Sequence, residues 1–273
     1  MSNQNAGRVA VVTGAARGIG AATVHGLAAC GWSVVAVDRC ADDPRIPYPL
    51  GTRADLDQVV ARAAGGRDPS MPGGVVTHVA DATDESALAA AVTEAEDRFG
   101  GLDAIVAVAG VIAGGVPLWE LPADQLAAVL EVDLGGPIAA ARVGVPALLR
   151  RPVPRQGRYL AVASAAATKG LPNLSAYGAA KAGVAGLVRG LAAELAGTGV
   201  TANAVCPGST DTAMLAESAR LYDLAGTAPF ADQQPIGRLL APEEVADALV
   251  WLADAGRGAV TGAVLPVDGG LAL

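Results

Sequence analysis

The sequence predicts an α/β protein, a parallel β-sheet covered by helices on both faces and folded as one domain. Three observations predict it. Seven short, β-branched apolar runs alternate with segments of helical period. A glycine-rich turn joins the first run to the segment after it. No proline- and serine-rich linker divides the 273 residues, and α/β chains of this length fold as one unit.

Residues 8–13 (RVAVVT) are apolar, β-branched and few, as in a strand buried on both faces. Residues 33–38 (SVVAVD), 74–79 (GVVTHV), 103–108 (DAIVAV), 158–163 (RYLAVA), 200–205 (VTANAV) and 263–267 (AVLPV) repeat the pattern. Between them, Leu88, Ala91, Val92, Ala95 and Phe99 recur at helical spacing. Thr83 or Asp84 is placed to cap that helix, and Gly100-Gly101 to end it. A second helix covers residues 175–197, with small residues along both sides. Two segments break the alternation. Residues 40–53 carry three prolines and no period, and residues 65–74 are turn chemistry throughout, with a short helix expected at 54–64 between them. The 40–74 connection is long for a crossover. Either it is a surface insertion, which costs little, or it serves the adenosine end of a bound nucleotide.

Composition narrows the functions. Apolar residues make up 52% and charged residues 17%, which excludes a disordered chain and permits a large core. Aromatics are 3%, so Ala, Val and Leu must fill that core. A net charge of −8 argues against a nucleic-acid partner, which needs a basic face. No apolar run approaches the ~18 residues of a membrane span. No basic segment followed by an apolar one opens the sequence, so a cytoplasmic protein is expected. Cys30, Cys40 and Cys206 have no paired spacing, and the two histidines, His25 and His78, lie far apart, so neither a disulfide framework nor a metal site is expected.

The turn TGAARGIG spans residues 13–20, between the first strand and a helix. Gly14, Gly18 and Gly20 let the chain turn tightly and let backbone approach a pyrophosphate, which the free N–H groups of the helix start then bind. Asp38 ends the second strand, eighteen residues after Gly20. An acid there accepts hydrogen bonds from an adenosine ribose and repels a 2′-phosphate, favouring NAD over NADP. Arg17 and Arg39 pull the other way, since either can meet a 2′-phosphate.

Ser164 follows a strand, Tyr177 lies thirteen residues on, and Lys181 is one helical turn beyond Tyr177 on the same face. A free tyrosine titrates near pH ~10 and is a poor base at neutrality. An adjacent ammonium favours the phenolate. Tyr177 is then fit to take a proton from an alcohol whose oxygen Ser164 holds.

With the turn, these residues resemble the short-chain dehydrogenase/reductase family, over essentially the whole chain. The matching pieces are TGAARGIG, Asp38, Asp81, the Ala109-Gly110 pair, Ser164, YGAAK at 177–181, Asn203 with Pro207-Gly208, Thr212 and VTGAVLPVDGG at 260–270. The resemblance implies a single-domain Rossmann fold with a seven-stranded parallel sheet. It implies Tyr177 as acid/base, Ser164 as substrate-positioning residue, and Lys181 as binding the nicotinamide ribose and lowering the Tyr177 pKa. It implies Asp81 near the adenine amine, and Pro207, Gly208, Thr210 and Thr212 around the nicotinamide. Ile19, Ala82, Ala109 and Gly110 complete the implied cofactor contacts. Two positions depart from the family pattern. Val108 stands where an Asn-Ala-Gly sequence is usual, and Asp133 replaces the asparagine of the family's catalytic tetrad. An ionised aspartate accepts but does not donate, so the proton relay to solvent is the step in question.

The 40–74 segment looks like the insertion of the mycofactocin-associated subgroup, with Asp42, Tyr48 and Leu50 in the matching stretch. That likeness implies an NAD that stays bound and is re-oxidised in place by a peptide-derived carrier, mycofactocin. Residues 213–240 are expected to form a substrate lid, with Met214, Leu215, Leu221, Tyr222, Leu224 and Phe230 as its apolar members and Val116, Leu118 and Trp119 on the other wall. These imply an apolar secondary alcohol or its ketone as substrate, and the family implies a homotetramer. Two other readings stay open: an NADPH-dependent carbonyl or 3-oxoacyl-carrier-protein reductase, and a non-catalytic NAD-binding regulator.

Overall fold

The structure, a computed structural model, describes residues 7–66 and 73–273. The seven expected strands all form: β1 Val9–Thr13, β2 Ser33–Asp38, β3 Val75–Val79, β4 Ala104–Ala107, β5 Arg158–Val162, β6 Thr201–Pro207 and β7 Val264–Val267. They pair in parallel in the order β3-β2-β1-β4-β5-β6-β7. The chain runs outward from β1 to β3, then returns to place β4 against the other side of β1. Crossovers therefore leave in opposite directions from β1 and β4, opening a crevice at their carboxyl ends.

Among the described residues eight α-helices clothe the sheet: α1 Gly18–Ala29, α2 Arg53–Gly65, α3 Glu85–Phe99, α4 Ala123–Leu130, α5 Gly136–Arg150, α6 Ser175–Glu194, α7 Ala213–Leu221 and α8 Pro242–Ala253. Because strand side chains alternate between faces, the two cores interleave along each strand. Ala10, Val12, Val34 and Ala36 pack with Val24, Leu27, Leu56 and Leu249 of α1, α2 and α8. Val9, Val11, Val35 and Val37 face Leu88, Val92, Leu148 and Val184 of α3, α5 and α6. With few aromatics to space the layers, small residues bring the helices close. A Cβ at Gly144 of α5 would lie 2.7 Å from the Ile105 side chain.

Local signals act as read. The Asp84 carboxylate accepts from the Ser86 and Ala87 N–H groups and so caps α3, which Gly100 ends at φ +83°. Thr83 instead donates its hydroxyl to Asp81 at 2.8 Å. The helix expected at 54–64 is α2, started by a reciprocal pair in which Thr52 accepts from the Asp55 N–H and Asp55 from the Thr52 N–H. The centre of the 65–74 turn segment, residues 67–72, lies outside the described residues. Among the described residues no helix is long and apolar enough to cross a membrane.

Leu88 has no exposed surface and joins α3 to the sheet. Leu88→Ala should cost ~2–5 kcal/mol of stability, read as a lowered midpoint in chemical denaturation with the native fold kept.

Candidate active site

The glycine turn occupies the crevice at the ends of β1 and β4. Gly14 sits at φ +66°, and a Cβ there would lie 2.7 Å from the Ala109 backbone. At Gly20 a Cβ would lie 2.0 Å from the Gly14 carbonyl oxygen. Arg17, at the N-cap of α1, makes no side-chain cap, so the first N–H groups of the helix are left for an anion. The Thr13 hydroxyl accepts from the Val108 and Ala109 N–H groups at 3.2 and 3.3 Å. Val108 thus reaches the cavity through the same backbone junction that holds Ala109 and Gly110 there.

The Asp38 carboxylate, at the end of β2, accepts from the Ala16 and Cys40 N–H groups, both at 3.1 Å. Asp81 is anchored by Thr83 and stands 3.7 Å from the Arg39 guanidinium. Both arginines that the sequence offers to a 2′-phosphate are engaged. Arg17 donates to the Pro49 carbonyl at 2.9 Å, and Arg39 pairs with Asp43 at 3.1 Å.

Residues 40–52 form a strap across this end of the crevice. Asp43 is almost fully buried and pairs with both Arg39 and Arg45, whose hydrogen bonds hold its carboxyl well below the usual range. Arg45 also reaches Glu131 at 2.6 Å. The Tyr48 hydroxyl accepts from the Ile112 N–H at 2.9 Å, and Leu50 N–H donates to Asp42 at 2.7 Å. Ile46 and Leu50 are buried with Val111, Ile112 and Val132. Asp43 was not singled out in the sequence; its signal was an acid flanked by arginines at positions 39 and 45 inside an aperiodic segment.

Ser164 follows β5 and accepts the Ala166 N–H at 3.1 Å, which starts a short 3-10 turn. Tyr177 and Lys181 lie on α6, both buried. The Lys181 ammonium donates to the Val162 carbonyl at 3.2 Å, pairs with Asp133 at 3.0 Å, and stands 5.6 Å from the Tyr177 ring centre. Asp133 belongs to a π-turn, Glu131–Gly135, between α4 and α5. Burial pushes the Tyr177 phenol above its ordinary value; Lys181 and the Ser164 hydrogen bond pull it down without prevailing, while Asp133 adds to the rise. Lys181 thus acts on Tyr177 in the expected, lowering sense, and burial outweighs it.

Beyond β6, Gly208 admits no side chain, since a Cβ would lie 2.3 Å from the Gln234 amide oxygen. Gln234 accepts from the Ser209 N–H at 2.8 Å and donates to the Arg238 carbonyl at 2.7 Å, pinning both ends of the segment. Nothing in the local sequence marked Gln234; its role arises from a contact 25 residues away. Thr210 donates to the Gly208 carbonyl, and Thr212 caps α7.

One cavity of about 590 Å³ joins these parts, within the range of small-molecule sites. Gly14, Arg17, Gly18, Ile19, Gly20, Asp38, Arg39, Asp81 and Ala82 line one end; Ser164, Tyr177, Lys181, Pro207, Gly208, Thr210 and Thr212 line the other. Met214, Leu215, Tyr222, Leu224 and Phe230 close it from above. Leu221 is absent from this wall and packs at Gly115. Val116, Leu118 and Trp119 do not reach the cavity, contrary to the sequence expectation. The turn at Gly115, φ +83°, carries them outward, and Trp119 is 84% exposed. Ile112, Leu171, Pro172 and Leu174 form that wall instead.

Known proteins share this arrangement. The family model described as "Enoyl-(Acyl carrier protein) reductase" matches residues 14–272. The chain is 41% identical to a cis-4-hydroxycyclohexanecarboxylate dehydrogenase of Sinomonas cyclohexanicum, over 99% of this chain and 98% of that one. It is 36% identical to an uncharacterized NAD-dependent oxidoreductase of Mycobacterium tuberculosis, over 97% and 95%. The solved structure of a carveol dehydrogenase from Mycobacterium avium, in complex with NAD, superposes with a TM-score of 0.91 at 31% identity, over 99% of each chain.

Gly20→Ala would force its methyl group into the Gly14 carbonyl. It should lower dinucleotide affinity at least about tenfold, a loss of ~1.4 kcal/mol, and lower the melting temperature. Calorimetric titration with NADH checks the first and thermal melting the second.

Proposed function

The chain belongs to the short-chain dehydrogenase/reductase family, and on that premise we propose that it is an NAD-dependent dehydrogenase of an apolar, cyclic secondary alcohol. The observation that carries this reading is a single cavity with two chemically distinct ends. One end has the glycine turn, the uncapped start of α1 and Asp38; the other has Ser164, Tyr177 and Lys181 under apolar walls.

The residues fit a dinucleotide. The turn is a cradle that a Cβ at Gly14 or Gly20 would fill. Asp38 is held by two backbone N–H groups with its carboxylate toward the cavity, where an adenosine ribose would meet it. Arg17 and Arg39 are occupied by the strap, which favours NAD over NADP. When bound, NAD supplies the hydride acceptor. The chain's own residues do the rest. Ser164 donates a hydrogen bond to the substrate oxygen. Tyr177 takes the hydroxyl proton as the carbon is oxidised. Lys181 holds the ribose and keeps a positive charge beside the phenolate. The apolar lid of residues 213–240 excludes water and selects an uncharged carbon skeleton. The ring alcohols in the names of the two dehydrogenase relatives support a cyclic substrate.

The strap extends the reading. Its ion pairs and the Tyr48 contact join the adenosine end to the π-turn and to the backbone at Ile112. A strap so tied retains the nucleotide through many turnovers, and mycofactocin then re-oxidises it in place.

Tyr177→Phe should lower kcat for alcohol oxidation by ~10²- to 10⁴-fold, with nucleotide content unchanged by mass spectrometry of the denatured protein. Activity that survives this change would mean another base. Extensively dialysed wild-type protein should release NAD(H) near one per chain on denaturation. Asp43→Ala, which unties Arg39 and Arg45, should lose it on dialysis. A wild-type protein that releases no nucleotide would reduce the strap to a surface insertion and the captive-cofactor reading would fail.

A further inference from the structure

Asp133 brings a charge to a position where asparagine would be neutral. Its side chain has no exposed surface, and that of Lys181 is 3% exposed. Oδ1 accepts from the Lys181 ammonium at 3.0 Å and from the Val111 N–H at 3.3 Å. Oδ2, also buried, has no hydrogen-bond partner among the described residues. The backbone presses on the carboxyl from the other side, since a Cβ at Gly110 would lie 2.7 Å from Oδ1. The π-turn that carries it is further tied to the strap by Arg45 and Glu131. The carboxyl therefore has no route to solvent by a rotamer change alone.

Such a pair holds its charges only together, because removing one leaves the other buried and uncompensated. Burial works against both charges: it pushes the Asp133 carboxyl above its ordinary value against the pull of Lys181, while at the Lys181 ammonium Asp133 and Tyr177 outweigh it and hold the proton on the lysine. Part of that positive charge, which would otherwise act on Tyr177, is neutralised by Asp133. The other titratable groups facing the pair are Tyr48 from the strap and Cys206 from β6. Burial pushes both up, so neither ionises near neutrality. Arg17 and Glu217 act on Tyr48 from further out, and each is tied elsewhere, to Pro49 and Arg220.

We propose that Asp133 is a positioning residue that tunes proton transfer: its carboxylate cancels charge on Lys181, so Tyr177 yields its proton at a higher pH than a neutral side chain at position 133 would allow. The inference rests on Tyr177 being the acid/base of the proposed reaction. The sign does not depend on which member of the Tyr177–Lys181 pair releases the proton first, because a nearby negative charge opposes loss from either.

The test is an ultraviolet titration of tyrosinate in wild type, Asp133→Asn, Tyr177→Phe and the double variant, each with the nucleotide it retains on dialysis. Subtracting each Tyr177→Phe curve isolates the Tyr177 step from Tyr48, Tyr159 and Tyr222. Asp133→Asn should move that step down by about one pH unit or more. The acid limb of kcat for alcohol oxidation should shift with it, while KM for the alcohol stays within about twofold. Asp133→Ser, smaller and also neutral, must move the step the same way, which guards against misfolding of one variant. A step that stays in place in both variants overturns the proposal, because Asp133 would then be protonated already. A step that moves in a protein that oxidises no alcohol would sink the proposed function and with it the tuning of proton transfer, leaving only the charge coupling of Asp133 to Tyr177.

Discussion

The site depends on one close approach, that of the Gly14 backbone to the Ala109 backbone where β1 and β4 lie side by side. A methyl group at Gly14 would stand 2.7 Å from Ala109, so the two carboxyl ends could not meet with any other residue there. That contact brings the uncapped start of α1 to the crevice. It also fixes the next residue, Gly110, against the Asp133 carboxyl, and through it the Lys181 ammonium. The glycine-turn end and the Lys181 end of the cavity are thus referenced to the same backbone junction. The Thr13 hydroxyl, accepting from two successive N–H groups beyond β4, holds the junction in register.

Around that junction the protein places its charges in two different settings. Lys181 and Asp133 are buried and paired among Val111, Val132 and Ala180, with one Asp133 oxygen left without a hydrogen-bond partner among the described residues. Electrostatic effects are large in such surroundings, so a single carboxyl there matters to the chemistry at Tyr177. In the strap, Asp43 alone is buried, and its arginine partners keep about a third of their side-chain surface in water. These pairs are worth less individually. Their effect is geometric: they fold an aperiodic, proline-rich segment into a fixed path over the nucleotide end.

Much of this was legible in the sequence. Short β-branched runs report parallel strands directly, so all seven were found with ends off by a residue or two, but the edge strands β3 and β7 are only partly buried because each has a neighbour on one side alone. The Asp84 cap, the Gly100 stop and the glycine turn are local devices whose chemistry is written in adjacent residues. Tyr177 and Lys181 share a helix face by spacing alone. Val116, Leu118 and Trp119 were misplaced because apolar character says nothing about direction, and a positive-φ glycine at 115 turns them to the surface.

The sequence by itself determined the alternation of elements, the glycine turn and the placing of Tyr177 and Lys181 on one helix face, because each of these is encoded within a few residues or one helical turn. Only the tertiary structure decided what surrounds them. It paired Arg17 and Arg39 with the strap, set Gln234 against Gly208, left one oxygen of Asp133 without a partner among the described residues, and let burial outweigh Lys181 at Tyr177. The reason is physical. Apart from the Arg39–Asp43 pair, four residues apart, burial and charge pairing sum over neighbours such as Val111 and Asp133, 22 residues apart, or Arg45 and Glu131, 86 apart, and no local pattern carries that sum.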